Sequence, residues 1–218
     1  MKALLIKDWK LLAGQKQFFG IVSIIALGFL ITNYNPAFVI SYVTIMFTIF
    51  TISTLQYDDY ENGMSYLLTL PVDRKEYVIE KYLFGIMSSV IISVIMLAAS
   101  WAAVQMRGLE ADWESMLAAM ISAIVIAIGI LVFTVPIQLK FGAEKSRIAW
   151  MAGIMLAFVI AFVGVRLLKM SGDSLGEIFG KLEELSPGTL IGGALGGVLV
   201  LTVVSILISI KILEKKEF

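Results

Sequence analysis

The sequence contains no cysteine and no histidine, and only 16% of its 218 residues are charged. The first absence excludes a disulfide framework, a thiolate metal site and a cysteine nucleophile. The second removes the commonest general base and transition-metal ligand. A formal net charge of zero gives no basic surface for nucleic acid. With 59% hydrophobic residues, the composition predicts an integral membrane protein without catalytic, cofactor-binding or metal-binding residues.

Six apolar windows without Asp, Glu, Lys or Arg follow one another along the chain. A spanning helix needs about 20 mostly apolar residues, and lipid favours helices because it offers the backbone no hydrogen-bond partners. The windows lack the alternation of a membrane β-barrel. We therefore predict an all-α protein with six transmembrane helices in one domain, residues 1–218. The predicted spans are Phe18–Thr32, Pro36–Tyr57, Tyr82–Val104, Met116–Gln138, Ile148–Val165 and Thr189–Ile210.

The lysines and arginines are distributed unevenly between the two sides of these spans. Thirteen of the 17 fall on the side of the N-terminus. Because cytoplasmic loops carry the excess of basic residues, this bias predicts a multi-pass protein with both termini in the cytosol. The first apolar window lacks a small-residue cleavage pattern, so a signal peptide is not expected.

Two segments outside the spans have helical patterns. Near the N-terminus, Leu5, Ile6, Trp9, Leu12 and Ala13 share one broad face at 100° per residue. Tryptophan and lysines at that place favour a helix lying in the headgroup region, with Leu5, Trp9 and Leu12 as its interfacial residues. The alternative is an ordinary basic flank with one interfacial tryptophan.

Between the fifth and sixth spans, the stretch SGDSLGEIFGKLEELSPGT is also amphipathic. Ser174 and Glu177 form a capping box, so a short outer helix is expected. The pair Glu183-Glu184 is interpreted as its solvated face.

The stretch Tyr60–Tyr82, between the second and third spans, has the most structure in its pattern. Asn62-Gly63 is a turn signal, Pro71 ends any helix before it, and a cap pattern at Asp73 starts another. These signals predict a short transverse helix at the inner face. The apolar side chains of this helix need lipid or a partner protein to cover them. These side chains are Met64, Tyr66, Leu67, Leu68 and Leu70. A helix that lies on lipid is the alternative to a helix that binds a partner.

This segment and the layout around it resemble the permease subunits of ABC-2 type ABC transporters, closest to the small bacterial ones made as a separate chain. The resemblance implies that the segment is a coupling helix that docks on a separate ATPase subunit. It implies a homodimer or heterodimer of permeases with two ATPase subunits, ATP and Mg²⁺ bound by the partner, and ATP-driven export across the bacterial cytoplasmic membrane. The coupling residues carried over are Glu61, Gly63, Met64, Tyr66, Leu67, Leu68, Leu70, Pro71 and Arg74.

The sequence itself also indicates that ATP is hydrolysed by another chain. The chain has no G-x-x-x-x-G-K-[ST] phosphate loop, so we expect no enzymatic activity of its own. Ion-coupled transport usually needs ionisable residues inside spans, and the six predicted spans contain no Asp, Glu, Lys or Arg. This counts against a secondary transporter or a channel-like protein, which stays as the alternative. Asp58, Asp59 and Glu61 are interpreted as solvated residues at a span end. A path without fixed charges favours amphipathic or hydrophobic cargo, with membrane-active peptides as one candidate.

Small residues at a spacing of four let membrane helices approach closely. The last span carries two such stripes, which predict packing against neighbours on two sides. They consist of Gly188, Gly192 and Gly196, and of Gly193 and Gly197. Pro136 is expected to kink the fourth span.

Overall fold

The computed structural model describes residues 1–32, 35–60, 63–69, 72–108, 112–170 and 187–216. Across these residues the secondary structure is helical, with no strand, which confirms the all-α class. The helices are α1 (Lys2–Gly14), α2 (Lys16–Ile31), α3 (Pro36–Asp59), α4 (Gly63–Thr69), α5 (Arg74–Arg107), α6 (Trp113–Met170) and α7 (Pro187–Lys215).

Four helical segments within the described residues are long and apolar enough to cross a membrane. They are Pro36–Asp59, Arg74–Arg107, Trp113–Gly142 and Gly192–Lys215. A fifth crossing is possible if α1 and α2, which meet at an angle of 63°, together form one broken span. The protein is thus a multi-pass membrane protein. The predicted window Ile148–Val165 lies in the later part of α6 and is not among the four, so the six-span arrangement stays a prediction.

The ends of several helices follow from their local sequence. Asn35 precedes α3, and its Oδ1 accepts a hydrogen bond from the Ala37 N–H at 2.9 Å, while Pro36 occupies the first turn, where its missing N–H costs nothing. At the same end of the bundle, Gly108 has a φ of 63° and closes α5 in the left-handed conformation that glycine adopts most easily.

The segment around α4 has the predicted order of elements. A short helix, α4, is followed by α5, which begins at Arg74 directly after Asp73. The Asp73 side chain makes no capping hydrogen bond, so only the position of this start was predicted correctly. The helix α6 runs through Pro136, and its non-helical residue is Gly142, with a φ of 77°. We therefore place the break of α6 at Gly142.

One apolar core lies at the end of the bundle that carries α4. It draws a side chain or more from α1 and from every helix from α3 to α7, for example Leu4, Leu55, Met64, Leu131 and Leu213. Polar contacts extend it. The Tyr82 hydroxyl lies 2.6 Å from Ser205 Oγ, and the same serine donates a hydrogen bond to the Val132 carbonyl at 2.6 Å. Three helices, α5, α6 and α7, are thereby joined at one point.

The predicted outer helix, with Ser174, Glu177 and Glu183-Glu184, lies in 171–186, outside the described residues.

Candidate functional site

The helix α4 packs against the bundle by one face and leaves the other uncovered. Met64 is 4% exposed and Leu67 is 8% exposed, and both belong to the core at this end of the bundle. Tyr66 points the other way and is 73% exposed. Our expectation that lipid or a partner protein must cover the apolar side chains of this helix was therefore wrong for Met64 and Leu67. The chain's own helices cover them, and among the described side chains of α4 Tyr66 is the large one that stays exposed.

Gly63 sets how closely α4 approaches α3. A Cβ atom at this position would lie 2.8 Å from the backbone carbonyl oxygen of Asp58. Such an approach is closer than side-chain carbons tolerate, and a backbone atom inside a helix cannot move aside. Glycine therefore allows the first turn of α4 to sit directly on the last turn of α3.

A charged residue lies in the middle of the buried face of α1. Leu4, Asp8 and Leu12 recur every four residues and so form one stripe of the helix. All three are buried, and Asp8 is fully buried. Since an unpaired charge in such a place would be very costly, the carboxylate of Asp8 requires partners from the helices that α1 contacts.

The partners of Asp8 form an ionic cluster, which we define as Lys7, Asp8, Asp58 and Lys81. Lys81 Nζ donates to Asp8 Oδ2 and lies 2.7 Å from Asp58 Oδ2. Lys7 Nζ donates to Asp58 Oδ1 and lies 3.3 Å from Asp8 Oδ1. Two acids and two bases thus alternate, and their formal charges cancel. The ionic cluster connects α1, α3 and α5.

Two hydroxyl groups complete the surroundings of this cluster. The Tyr77 hydroxyl donates to Asp58 Oδ2 at 2.9 Å, and Thr54 Oγ1 donates to Asp8 Oδ2 at 3.3 Å. Asp58 is 6% exposed, so its interpretation as a solvated residue at a span end was wrong. Its partners come from helices distant in the sequence.

A third acidic residue is buried directly before Lys81 on α5. Glu80 is fully buried, and neither of its carboxyl oxygens has a hydrogen-bond partner in the described parts of the chain. No group of three or more Asp, Glu, His or Cys residues among the described ones has the arrangement of a metal site.

Arg74 was expected to flank a contact with a partner, but its guanidinium reaches another helix of the same chain. Nη1 donates to the carbonyl oxygens of Leu213, Glu214 and Lys216 at 2.7, 3.0 and 3.0 Å. These carbonyls lie at the end of α7, where the helix leaves them unpaired and where a positive charge is favourable. Arg74 therefore fastens the start of α5 to the end of α7.

The structure describes little or nothing of the remaining predicted coupling residues. Glu61, Leu70 and Pro71 lie outside the described residues, and for Leu68 only the helical backbone is described.

The three interfacial candidates on α1 divide between two environments. Leu12 is 2% exposed and packs inside the bundle. Leu5 and Trp9 line a groove of about 330 Å³ between α1 and α5, and the Trp9 ring meets Phe84 edge-on at 5.9 Å. The predicted apolar face is thus partly turned inward, because Leu12 shares the stripe of Asp8.

The glycine stripes of α7 face open space within this chain. A Cβ atom at Gly192, Gly193, Gly196 or Gly197 would meet nothing within 4 Å. For Gly188 only the helical backbone is described. Close packing at these stripes therefore stays a prediction, since no described side chain of this chain fills the space beside them.

The sequence reasoning missed all four members of the ionic cluster. Two features of the sequence could have indicated them. An aspartate midway between Leu4 and Leu12, with a lysine directly before it, is a pattern that a purely interfacial helix does not need. Lys81 gave a second signal, since it directly precedes the apolar run of the third predicted span.

The comparisons with known proteins place this arrangement in a family. Residues 3–214 match the family described as ABC-2 family transporter protein. Neither the curated proteins nor the solved structures include a significant match. The matched region contains α1 through to α7, and with them α4, the ionic cluster and the Arg74 contact. The chain therefore belongs to the ABC-2 family of membrane transporter proteins.

Proposed function

We propose that this chain is the permease subunit of an ATP-driven exporter, with six spans in the bacterial cytoplasmic membrane and both termini in the cytosol. Two permeases and two separate ATPase subunits form the working complex, and the ATPase subunits bind ATP and Mg²⁺. The chain supplies the path for an amphipathic or hydrophobic substrate, of which membrane-active peptides are one candidate class.

The observation that carries this proposal is the seating of α4. This two-turn helix is held on the end of α3 by the close approach at Gly63 and is anchored in the core by Met64 and Leu67. It presents Tyr66 outward. A helix attached in this way cannot move independently of α3, so a push on its outer face displaces the bundle.

The ionic cluster extends that attachment. It lies at the last turn of α3 and ties this turn to α1 and α5. A displacement of α3 is therefore passed to two further helices through hydrogen-bonded charges, which hold a fixed geometry better than apolar contacts do. This route from α4 into the bundle is the mechanism that we propose for coupling.

An ion-coupled secondary transporter is the second candidate, and the buried ionic cluster favours it because buried charges often mark ion pathways. The charges here are paired with one another, however, and lie where the middle of α1 meets the end of α3 and the first turns of α5. Such a position suits a structural joint between helices better than an ion path.

Tyr66 provides the test of the main proposal. Replacement Tyr66→Asp places a charge on the exposed face of α4, so binding of the ATPase subunit should weaken roughly tenfold or more, since burying a charge against an apolar surface is costly. The permease itself should insert and fold normally because Tyr66 makes few contacts within the chain. Co-purification with the proposed ATPase subunit, at graded detergent stringency, measures the effect.

Two variants serve as controls for this measurement. Met106→Asp introduces the same charge at a position 89% exposed at the opposite end of α5, and it should leave binding unchanged. Leu67→Asp, in the core, should destabilise the permease itself. If Tyr66→Asp binds the ATPase subunit and exports as wild type does, α4 is not the coupling element.

A further inference from the structure

A cavity of about 470 Å³ lies between α3 and the two parts of α6. Ile52 and Gln56 are one turn apart on α3, and Ile130 and Gln138 lie two turns apart on the same face of α6. Trp150 lines the cavity from the later part of α6. Its volume falls within the range of sites that hold small organic molecules, which is about 300–1,000 Å³.

The wall of this cavity is apolar with uncharged polar groups, and no lining residue is ionised. Three isoleucines and Trp150 supply the apolar surface. Two glutamines, a threonine and a serine supply hydrogen-bonding groups. A cavity with these walls favours a ligand with an apolar body and a neutral polar group, and it disfavours a charged head because nothing in the wall would neutralise the charge.

Gln138 is the residue that points to a ligand. It is 7% exposed, and its Oε1 has no hydrogen-bond partner in the part of the chain that the structure describes. A buried carbonyl oxygen without a partner is costly, and native proteins rarely leave one. An N–H or O–H group of a ligand would remove this cost, after at most a rotation of the amide.

The position of Gln138 also relates the cavity to α4. Gln56 and Gln138 also line a second, much smaller gap, to which Met64 of α4 contributes as well. The cavity and the surroundings of the buried face of α4 therefore share these two residues. A ligand that hydrogen-bonds to Gln138 would contact a residue that lies beside that buried face.

We propose that this cavity binds the transported substrate, that the substrate class is an uncharged amphipathic molecule with an N–H or O–H donor, and that Gln138 accepts the hydrogen bond from that donor. The assignment of the ligand as substrate rests on the proposed export function. The binding site itself does not, because it is defined within one chain.

The test compares two matched probes, 10-bromodecanamide and its N,N-dimethyl derivative, which differ in having or lacking the N–H donor. The full chain has four tryptophans. A version with Trp9, Trp101 and Trp113 replaced by Phe leaves Trp150 as the only tryptophan, which can be excited selectively over tyrosine. Quenching of Trp150 by the bromine, in lipid nanodiscs, reports occupancy of the cavity. A version that retains only Trp113, which lies outside the cavity, corrects for partition of each probe into lipid.

After that correction, we expect the N–H probe to bind about tenfold more tightly than the dimethyl probe, the effect of one hydrogen bond to a buried acceptor. Gln138→Leu should make the two affinities equal. Gln138→Met, which keeps a long unbranched side chain, provides the same comparison should the leucine variant fold poorly. Gln105→Leu, at an exposed position near the far end of α5, should retain the preference.

Equal affinities in the unaltered cavity, or a preference that survives both Gln138 variants, would overturn the proposal. A water molecule that occupies the small gap and satisfies Gln138 would give the first of these results. The assay contains no ATPase subunit. A negative result in the probe-binding assay therefore leaves the Tyr66→Asp co-purification result unaffected. Conversely, if Tyr66→Asp does not weaken ATPase binding, the probe-binding result for the cavity still stands.

Discussion

At the scale of single residues, the ionic cluster shows how charge can be buried at a helix junction. Asp8 and Asp58 each contact both Lys7 and Lys81, so every charge has two opposite neighbours. Desolvation of the three buried groups, Asp8, Asp58 and Lys81, is offset only while their partners are present. Loss of a single member leaves an uncompensated charge in a buried place.

We therefore expect Lys81→Met to lower the free energy of unfolding by about 3–5 kcal/mol, because both aspartates lose a partner while remaining buried. The matched control is Lys75→Met. Lys75 makes an ion pair with Glu214 at 3.7 Å that is largely exposed, and such pairs contribute about 0–1 kcal/mol. Unfolding of the purified chain in mixed micelles with increasing SDS measures both variants.

The double variant Lys81→Met, Asp8→Asn removes one charge of each sign and should recover part of the lost stability. If Lys81→Met unfolds at the same SDS fraction as Lys75→Met, the ionic cluster is not a stabilising joint.

At the scale of helices, contact between α3 and α4 depends on the absence of one side chain. Gly63→Ala would place a carbon atom against the Asp58 carbonyl oxygen, and α4 would have to shift outward. We expect stability to fall by about 1–3 kcal/mol, as in other overpacked sites. Hydrogen–deuterium exchange in 63–69 should rise at the same time, since a displaced α4 loses its contacts with the core.

Gly28→Ala is the control for this change. Gly28 lies in α2, where an added Cβ atom meets nothing within 4 Å, so the variant should be as stable as wild type or slightly more stable because alanine favours helix. Unaltered exchange in 63–69 for Gly63→Ala would show that α4 does not rest on α3 as described.

The helices also show what can be predicted from sequence and what cannot. The starts of α3 and α5 were predicted because they follow from the sequence beside them, the apolar window that begins at Pro36 and the helix stop at Pro71 before Asp73. The kink predicted at Pro136 concerns the fourth span itself, whereas the break of α6 at Gly142 separates the fourth and fifth predicted spans. The burial of Asp58 could not be predicted from its own neighbourhood, because Lys7 and Lys81 reach it from other helices. Local chemistry fixes element boundaries, whereas partners distant in sequence decide which charges are buried.

At the scale of the whole molecule, the distribution of lysine and arginine predicts the side of the membrane on which each end lies. Because the chain has no cysteine, single cysteines can be introduced and labelled with an impermeant maleimide. In intact cells Arg107→Cys should be labelled, whereas Lys75→Cys should be labelled only after the membrane is opened. Labelling of Lys75→Cys from outside would contradict the proposed orientation.

The open glycine stripes of α7 make a second prediction at this scale. The double variant Gly192→Leu, Gly196→Leu adds large side chains at positions where a Cβ atom meets nothing within 4 Å in the described part of the chain. The stability of the isolated chain should therefore not change, but association with a second permease should weaken if these stripes form the contact. Native mass spectrometry of the complex measures the assembly. An unchanged assembly would place the contact between permeases elsewhere.

The Arg74 contact has a consequence for how the protein is made. Helices enter the membrane in the order of synthesis, and α7 follows α5. The carbonyl groups that Arg74 binds, at the end of α7, do not exist as a helix end until the last helix has been inserted. The bundle at the α4 end therefore closes last. A chain whose synthesis is interrupted before α7 leaves this end open, with core residues such as Tyr82, which contacts Ser205 of α7, accessible to the proteases that remove incomplete membrane proteins.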